Sequence, residues 1–102
     1  MNPTALFIIH QAKPGQREAV KAVWMRDMAP DIQGNPGHLA YFYTFDNDNP
    51  DAICAFQVYE SAQTATDFLQ HPSYQAYLAE SRDLLEHAPK VMSLSPQWAK
   101  AS

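Results

Sequence analysis

The sequence predicts an α+β fold in which a four-stranded antiparallel sheet carries helices on one face. Three observations predict it. The runs 37–46 and 51–61 are rich in aromatic and β-branched residues and flank the turn-forming block Asp46-Asn47-Asp48-Asn49-Pro50-Asp51, as in a β-hairpin. Segments with apolar residues at three- and four-residue spacing stand on both sides of that hairpin, the pattern of amphipathic helices. Short apolar runs near the two ends supply a first and a last strand.

Thr4 to Ala12 reads as the first strand. Side chains alternate with a period of two, so Leu6, Ile8 and His10 share one face and Ala5, Phe7 and Ile9 the other. Lys13-Pro14-Gly15 breaks the strand. A helix from about Gln16 then buries Val20, Val23, Trp24 and Met28 and turns Arg17, Lys21 and Asp27 toward water. Pro30 ends or bends it, since proline cannot donate to the preceding turn and disfavours helix at Ala29. After the loop Gly34-Asn35-Pro36-Gly37, the second strand places Leu39, Tyr41, Tyr43 and Phe45 opposite Ala40 and Phe42. The third places Ile53, Ala55 and Tyr59 opposite Cys54, Phe56 and Val58. Ser61 is an N-cap for a short helix through Leu69. Pro72 suits the first turn of a second helix, with a stripe of Tyr74, Tyr77, Leu78, Ser81, Leu84, Leu85 and Ala88, closed by Pro89. Val91 to Leu94 form the last strand. The chain reads as one domain, 1–102, with an ordered core of about 4–95 and a tail, 96–102, carrying Trp98. Strand, helix, strand, strand, helices, strand is the layout of the ferredoxin-like split β-α-β motif.

Composition narrows the function classes. With 102 residues, 46% of them apolar, the chain can bury a modest single core. The net charge is −4 and the seven Lys and Arg are scattered, which argues against nucleic acid and anionic membranes as partners. Leu6 to Ile9 is too short for a signal-peptide core, and no run approaches transmembrane length, so a cytoplasmic location is expected. Cys54 has no cysteine partner in the chain. No histidine pair has metal-ligand spacing, so no metal is expected. The acidic turn after Phe45 lacks the glycine and the final glutamate of a calcium loop. No glycine-rich nucleotide fingerprint is present.

Both faces of the predicted strands are apolar, whereas an antiparallel sheet with one wet face alternates cleanly. Four strands ~4.8 Å apart, each about five residues long at ~3.3 Å, present roughly 300 Å² of projected sheet. That reaches the size of the largest patches monomers expose. Covering it is worth on the order of 8 kcal/mol before association costs. A homodimer through the open sheet face is the expected solution.

Several segments together carry a family resemblance: Pro14-Gly15 after the first strand, Pro36-Gly37 leading into Tyr41, Asp46 with Asn49-Pro50, Val58-Tyr59-Glu60-Ser61 before a helix, and Leu69-Gln70-His71-Pro72-Ser73-Tyr74. In this order and spacing the chain resembles the antibiotic biosynthesis monooxygenase family. The resemblance implies a dimeric α+β barrel and, in catalytic members, cofactor-free oxidation of aromatic or quinol-type substrates in a cleft between helices and sheet. The chain departs from the family pattern at two places, with Phe68 where many members have His and Gln57 where they have Glu. The haem-degrading relatives use Asn, Trp and His at positions matching Ile8, Phe68 and Leu78, so no haem role is implied.

Two functions follow as expectations. In the first, the protein is a cofactor-independent monooxygenase acting on a small aromatic or quinol-type substrate. His10, the histidine of the first strand, would accept a proton; Tyr41, Tyr43 and Tyr59 would orient oxygen atoms, and Trp24 and Phe68 would pack against rings. In the second, the same dimer binds a small molecule without turnover. His71 is expected as a helix cap, and His38 and His87, at element ends, are expected to be solvated.

Overall fold

The computed structural model describes residues 2–100; of the expected tail, residues 101 and 102 lie outside the described residues, as does Met1. The order is β1 (Thr4–Gln11), α1 (Arg17–Asp27), α2 (Ala29–Gln33), β2 (His38–Phe45), β3 (Ala52–Tyr59), α3 (Ala62–Leu69), α4 (Pro72–Ser81) and β4 (Lys90–Leu94). The four strands form one antiparallel sheet in the order β2-β3-β1-β4. This is the ferredoxin-like α+β arrangement, with the helices on one face.

Local chemistry explains each junction. A turn closed by Gln16 N–H on the Lys13 carbonyl (2.9 Å) has Pro14 at its second place and Gly15, at φ 78°, at its third. That is the residue pattern of a type II turn, in which glycine accepts the positive φ at no steric cost. Pro30 does not merely stop α1. It sits in the first turn of α2, where its missing N–H has no helical acceptor to lose. The β2–β3 turn is held by Asp46 Oδ1, which accepts from the backbone of Asp48 (2.8 Å), and by Asn49 Oδ1, which accepts from Asp51 (3.0 Å). Arg17, expected in water, is half-buried instead. Its guanidinium donates to the carbonyls of Asp46 (3.1 Å) and Asn49 (3.0 Å) and lies 3.9 Å from the Phe45 ring centre. Ser61 caps α3 by accepting from Thr64 N–H, and His71 caps α4 by accepting from Ser73 N–H.

The expected helix to Ala88 is too long. The α-helix ends at Ser81, a 3₁₀ turn covers Arg82–Leu84, and Leu85 is extended and bridges to Ala12. Backbone bonds from Lys13 N–H to Leu84 O and from Glu86 N–H to Gln11 O (both 2.8 Å) hold the segment beside the end of β1. Leu84 and Leu85 are therefore apolar because of tertiary contacts, although their spacing fits a helical stripe.

The core lies between sheet and helices. Leu6 and Ile8 of β1, Ile53, Ala55 and Tyr59 of β3, Val20 and Trp24 of α1, and Phe68, Tyr74 and Tyr77 of α3 and α4 are buried there. The opposite face carries a row across all four strands, in the order Phe42, Phe56, Phe7, Met92. Phe42 and Phe56 remain 59% and 38% exposed, so this row is apolar surface at the centre of the face. Residues 95–100 have no regular structure, and Trp98 is 83% exposed.

Candidate functional site

The sheet's inner face and the helices above it form a chain of aromatic rings. Trp24 of α1 stacks on Tyr43 of β2 at 4.1 Å and tilts against Tyr41 at 5.5 Å. Tyr41 and Tyr59 approach Phe68 of α3 at 6.4 and 5.7 Å, and Phe68 meets Tyr74 of α4 at 5.5 Å. Tyr74 lies 6.2 Å from Tyr77, whose ring stands edge-on to His10 at 5.4 Å. All six residues singled out from the sequence, His10, Trp24, Tyr41, Tyr43, Tyr59 and Phe68, thus fall in one continuous cluster. Period two puts the three tyrosines and His10 on the same sheet face, and the helices bring Trp24 and Phe68 down onto it.

Polar groups within the cluster are almost all neutral. His10 is 1% exposed, with the Tyr77 hydroxyl 2.7 Å from its Nδ1 and Nε2 buried without a partner. Burial pushes its pKa down to about 4, because a charged imidazole would lose its hydration. Gln57 is fully buried; its side-chain carbonyl accepts from the Tyr59 hydroxyl, and its amide donates to Ala55 O at 3.4 Å. A carboxylate there would be a charge inside the core, so a neutral amide suits the site. Burial raises the Tyr41, Tyr43, Tyr59 and Tyr77 hydroxyls well above the usual phenol range, and Tyr74 to about 12. These tyrosines can donate hydrogen bonds but do not ionise near neutral pH. The Tyr43 hydroxyl is buried without a partner.

An open cavity of about 300 Å³ adjoins this cluster, between α2 with its following loop, the start of β2, and the α3–α4 junction. Phe68 lines it, and so do His38 and His71; His10 is not among its lining residues. The expectation that His38 is solvated is overturned. Its ring packs at 4.5 Å from Tyr59, 5.6 Å from Tyr41 and edge-on to Phe68 at 4.9 Å, and neither ring nitrogen has a protein partner. Burial lowers its pKa to about 4 as well.

A β-bulge explains the error. His38 pairs with Tyr59 and Ala40 with Val58, so β2 carries an extra residue, Leu39, at that point. Strict alternation back from Tyr41 would turn Leu39 inward and His38 outward. The bulge does the reverse, leaving Leu39 58% exposed and His38 among the rings. The sequence signal that could have found it is Pro36-Gly37 directly before the strand. Gly37 sits so close to α3 that a Cβ there would overlap the Thr64 side chain, which lets the chain enter the sheet tightly under that helix.

Among the described residues, no group of three or more His, Cys, Asp or Glu side chains could hold a metal ion, and no helix is long and apolar enough to cross a membrane. The family model for antibiotic biosynthesis monooxygenase matches residues 6–80. A solved protein from Chloroflexus aurantiacus that carries that family name is 27% identical, with a TM-score of 0.76 and 97% of each chain covered. A protein from Nitrosomonas europaea is 24% identical, with a TM-score of 0.84 and coverage of 100% of this chain and 96% of that one. A Mycobacterium tuberculosis protein is 22% identical, with a TM-score of 0.83 and coverage of 97% and 99%. The latter two likenesses concern the fold. No curated protein matches the sequence.

Proposed function

The chain belongs to the antibiotic biosynthesis monooxygenase family, and from that premise we propose that it is a cofactor-independent monooxygenase acting on a small aromatic or quinol-type substrate. The observation that carries this reading is a cavity walled by Phe68 and backed by Tyr41 and Tyr59, lined by His38, whose imidazole has no protein partner. A cavity of about 300 Å³ suits a compound of one or two rings. Electron-rich aromatics of this kind supply their own electrons once deprotonated. The balance is substrate-H₂ plus O₂ giving oxidised substrate carrying one oxygen atom, plus water, so no separate reductant is required. The protein's part is to hold the ring against Phe68 and its neighbours, accept a proton at an imidazole nitrogen, and keep the anion dry. Tyr41 and Tyr59 would back the wall behind Phe68 and His38, with Trp24 and Tyr43 packed behind Tyr41. His38 is the unpartnered imidazole at the cavity, and His10 stands deeper in the cluster against Tyr77.

In the same reading the whole chain works as one domain in the cytoplasm, as a homodimer joined through the Phe42, Phe56, Phe7, Met92 face. A second reading, a ligand-binding dimer without turnover, is favoured by one observation. The buried Gln57 and Phe68 leave no acid and no imidazole at those two positions of the cluster. Oxygen-electrode assays with a panel of quinols and polyphenols decide between them. Saturable oxygen uptake that is lost when the cavity is blocked by Ser73→Trp supports the oxygenase. Saturable binding with no uptake for any compound in the panel supports the second reading.

A further inference from the structure

We propose that His38 is the proton-accepting group of the cavity and His71 its fixed hydrogen-bond donor, and that together they select a neutral aromatic bearing a hydroxyl and a second oxygen. This rests on the cavity being a substrate site, as proposed above. It does not require turnover.

His71 is fixed in place as the N-cap of α4. Its Nδ1 accepts the backbone N–H of Ser73 at 3.1 Å and lies 2.9 Å from the Ser73 hydroxyl. A nitrogen that accepts an N–H must present a lone pair, so the imidazole is neutral and its proton sits on Nε2. The helix cap therefore fixes the tautomer. What His71 can offer as a lining residue of the cavity is an N–H donor.

His38 is the complement. Its two nitrogens are buried and unpartnered, its ring is held by Tyr41, Tyr59 and Phe68, and burial keeps it neutral. A neutral imidazole has one acceptor nitrogen, and a buried polar atom without a partner favours any ligand that supplies one. A hydroxyl donated to that nitrogen satisfies it once the ring turns a nitrogen toward the cavity, since both are covered in the unliganded protein. In the reaction the O–H bond breaks, the proton passes to His38 and the electron pair stays on the substrate oxygen; that anion pairs with the imidazolium and offsets the burial that otherwise keeps His38 neutral. The His71 Nε2–H is the donor available to the substrate's other oxygen. Asp31, also lining the cavity, brings an acidic side chain and disfavours aromatic acids. His10 does not line the cavity and already shares its Nδ1 with Tyr77, so its place is to hold Tyr77 in the core behind Tyr74.

The test uses the full chain, catechol (1,2-dihydroxybenzene) as probe, and long-range proton–nitrogen NMR of the histidine rings. Before addition, His71 should show a protonated Nε2 and an unprotonated Nδ1. Catechol should shift His38 and His71 saturably and leave His10 unmoved; benzoate and 1,2-dimethoxybenzene should bind about tenfold more weakly or worse. His38→Phe, which keeps an aromatic ring among its neighbours, should lose about tenfold in catechol affinity with an unchanged backbone spectrum. His71→Asn retains a good helix cap but has no imidazole N–H, and should weaken binding while α4 stays folded. The proposal is overturned if His71 carries its proton on Nδ1, if catechol produces no saturable shift at His38, if His10 moves in its place, or if both variants bind as the wild type does. Binding that behaves as described with no oxygen uptake for any substrate would leave this assignment standing and remove the oxygenase reading.

Discussion

Acid should unfold this protein through His10. The ring is 1% exposed, and burial holds its pKa at about 4 against an ordinary 6.5. Above 6.5 the imidazole is neutral in both folded and unfolded chains and contributes nothing to pH dependence. As the pH falls below 6.5 the unfolded chain takes up a proton that the folded chain refuses until about 4, so stability falls through that window. The sign follows from the unfolded state binding more protons. The full effect is about 3 kcal/mol, of which about 2 kcal/mol is already present near pH 5. Replacing both members of the pair, His10→Phe with Tyr77→Phe, removes the titrating group without stranding its partner. Urea unfolding would be measured at about pH 7 and about pH 5, at one fixed protein concentration because association adds to apparent stability. The wild type should lose about 2 kcal/mol more than the double variant over that interval. His38, also pushed down to about 4, is present in both proteins and cancels in the comparison. Equal losses in the two proteins, or an NMR titration of folded His10 near 6.5, would refute the reasoning.

Phe7→Asp places a carboxylate in the middle of the apolar row between Phe56 and Met92. Sedimentation should change from about twice the 11.5 kDa chain mass to monomer or aggregate, since the charge would be buried unpaired; an unchanged dimer would place the interface elsewhere. Gly37→Ala forces the new Cβ into Thr64 and should cost about 1–3 kcal/mol in thermal or urea unfolding, with loss of the His38 environment in NMR spectra. Arg17→Ala releases the hairpin turn from the guanidinium and should destabilise by about 2 kcal/mol, with faster amide exchange at residues 46–52.

The architecture was legible because most of it is local. Apolar runs rich in aromatic and β-branched residues mark β1, β2 and β3, the Asp and Asn block marks the turn between β2 and β3, and Ser61 and Pro72 mark two helix starts. The two-residue period of a strand puts His10, Tyr41, Tyr43 and Tyr59 on one face, and the helices bring Trp24 and Phe68 onto it, so six residues named from the sequence lie in one cluster. Tertiary structure decided the rest. Leu84 and Leu85 fit a helical stripe equally well as part of α4 or as a segment docked on β1, and spacing alone cannot separate those outcomes. Arg17 reaches three backbone carbonyls of the β2–β3 turn, and only the packing of α1 beside the hairpin brings it to them. His38 is the sharpest case. An extra residue at Leu39 reverses the face of everything before it, and period-two reasoning holds only while the ladder is unbroken. Pro36-Gly37 marks the place, but the close approach of Gly37 to Thr64 on α3, 27 positions away, exists only in the folded chain.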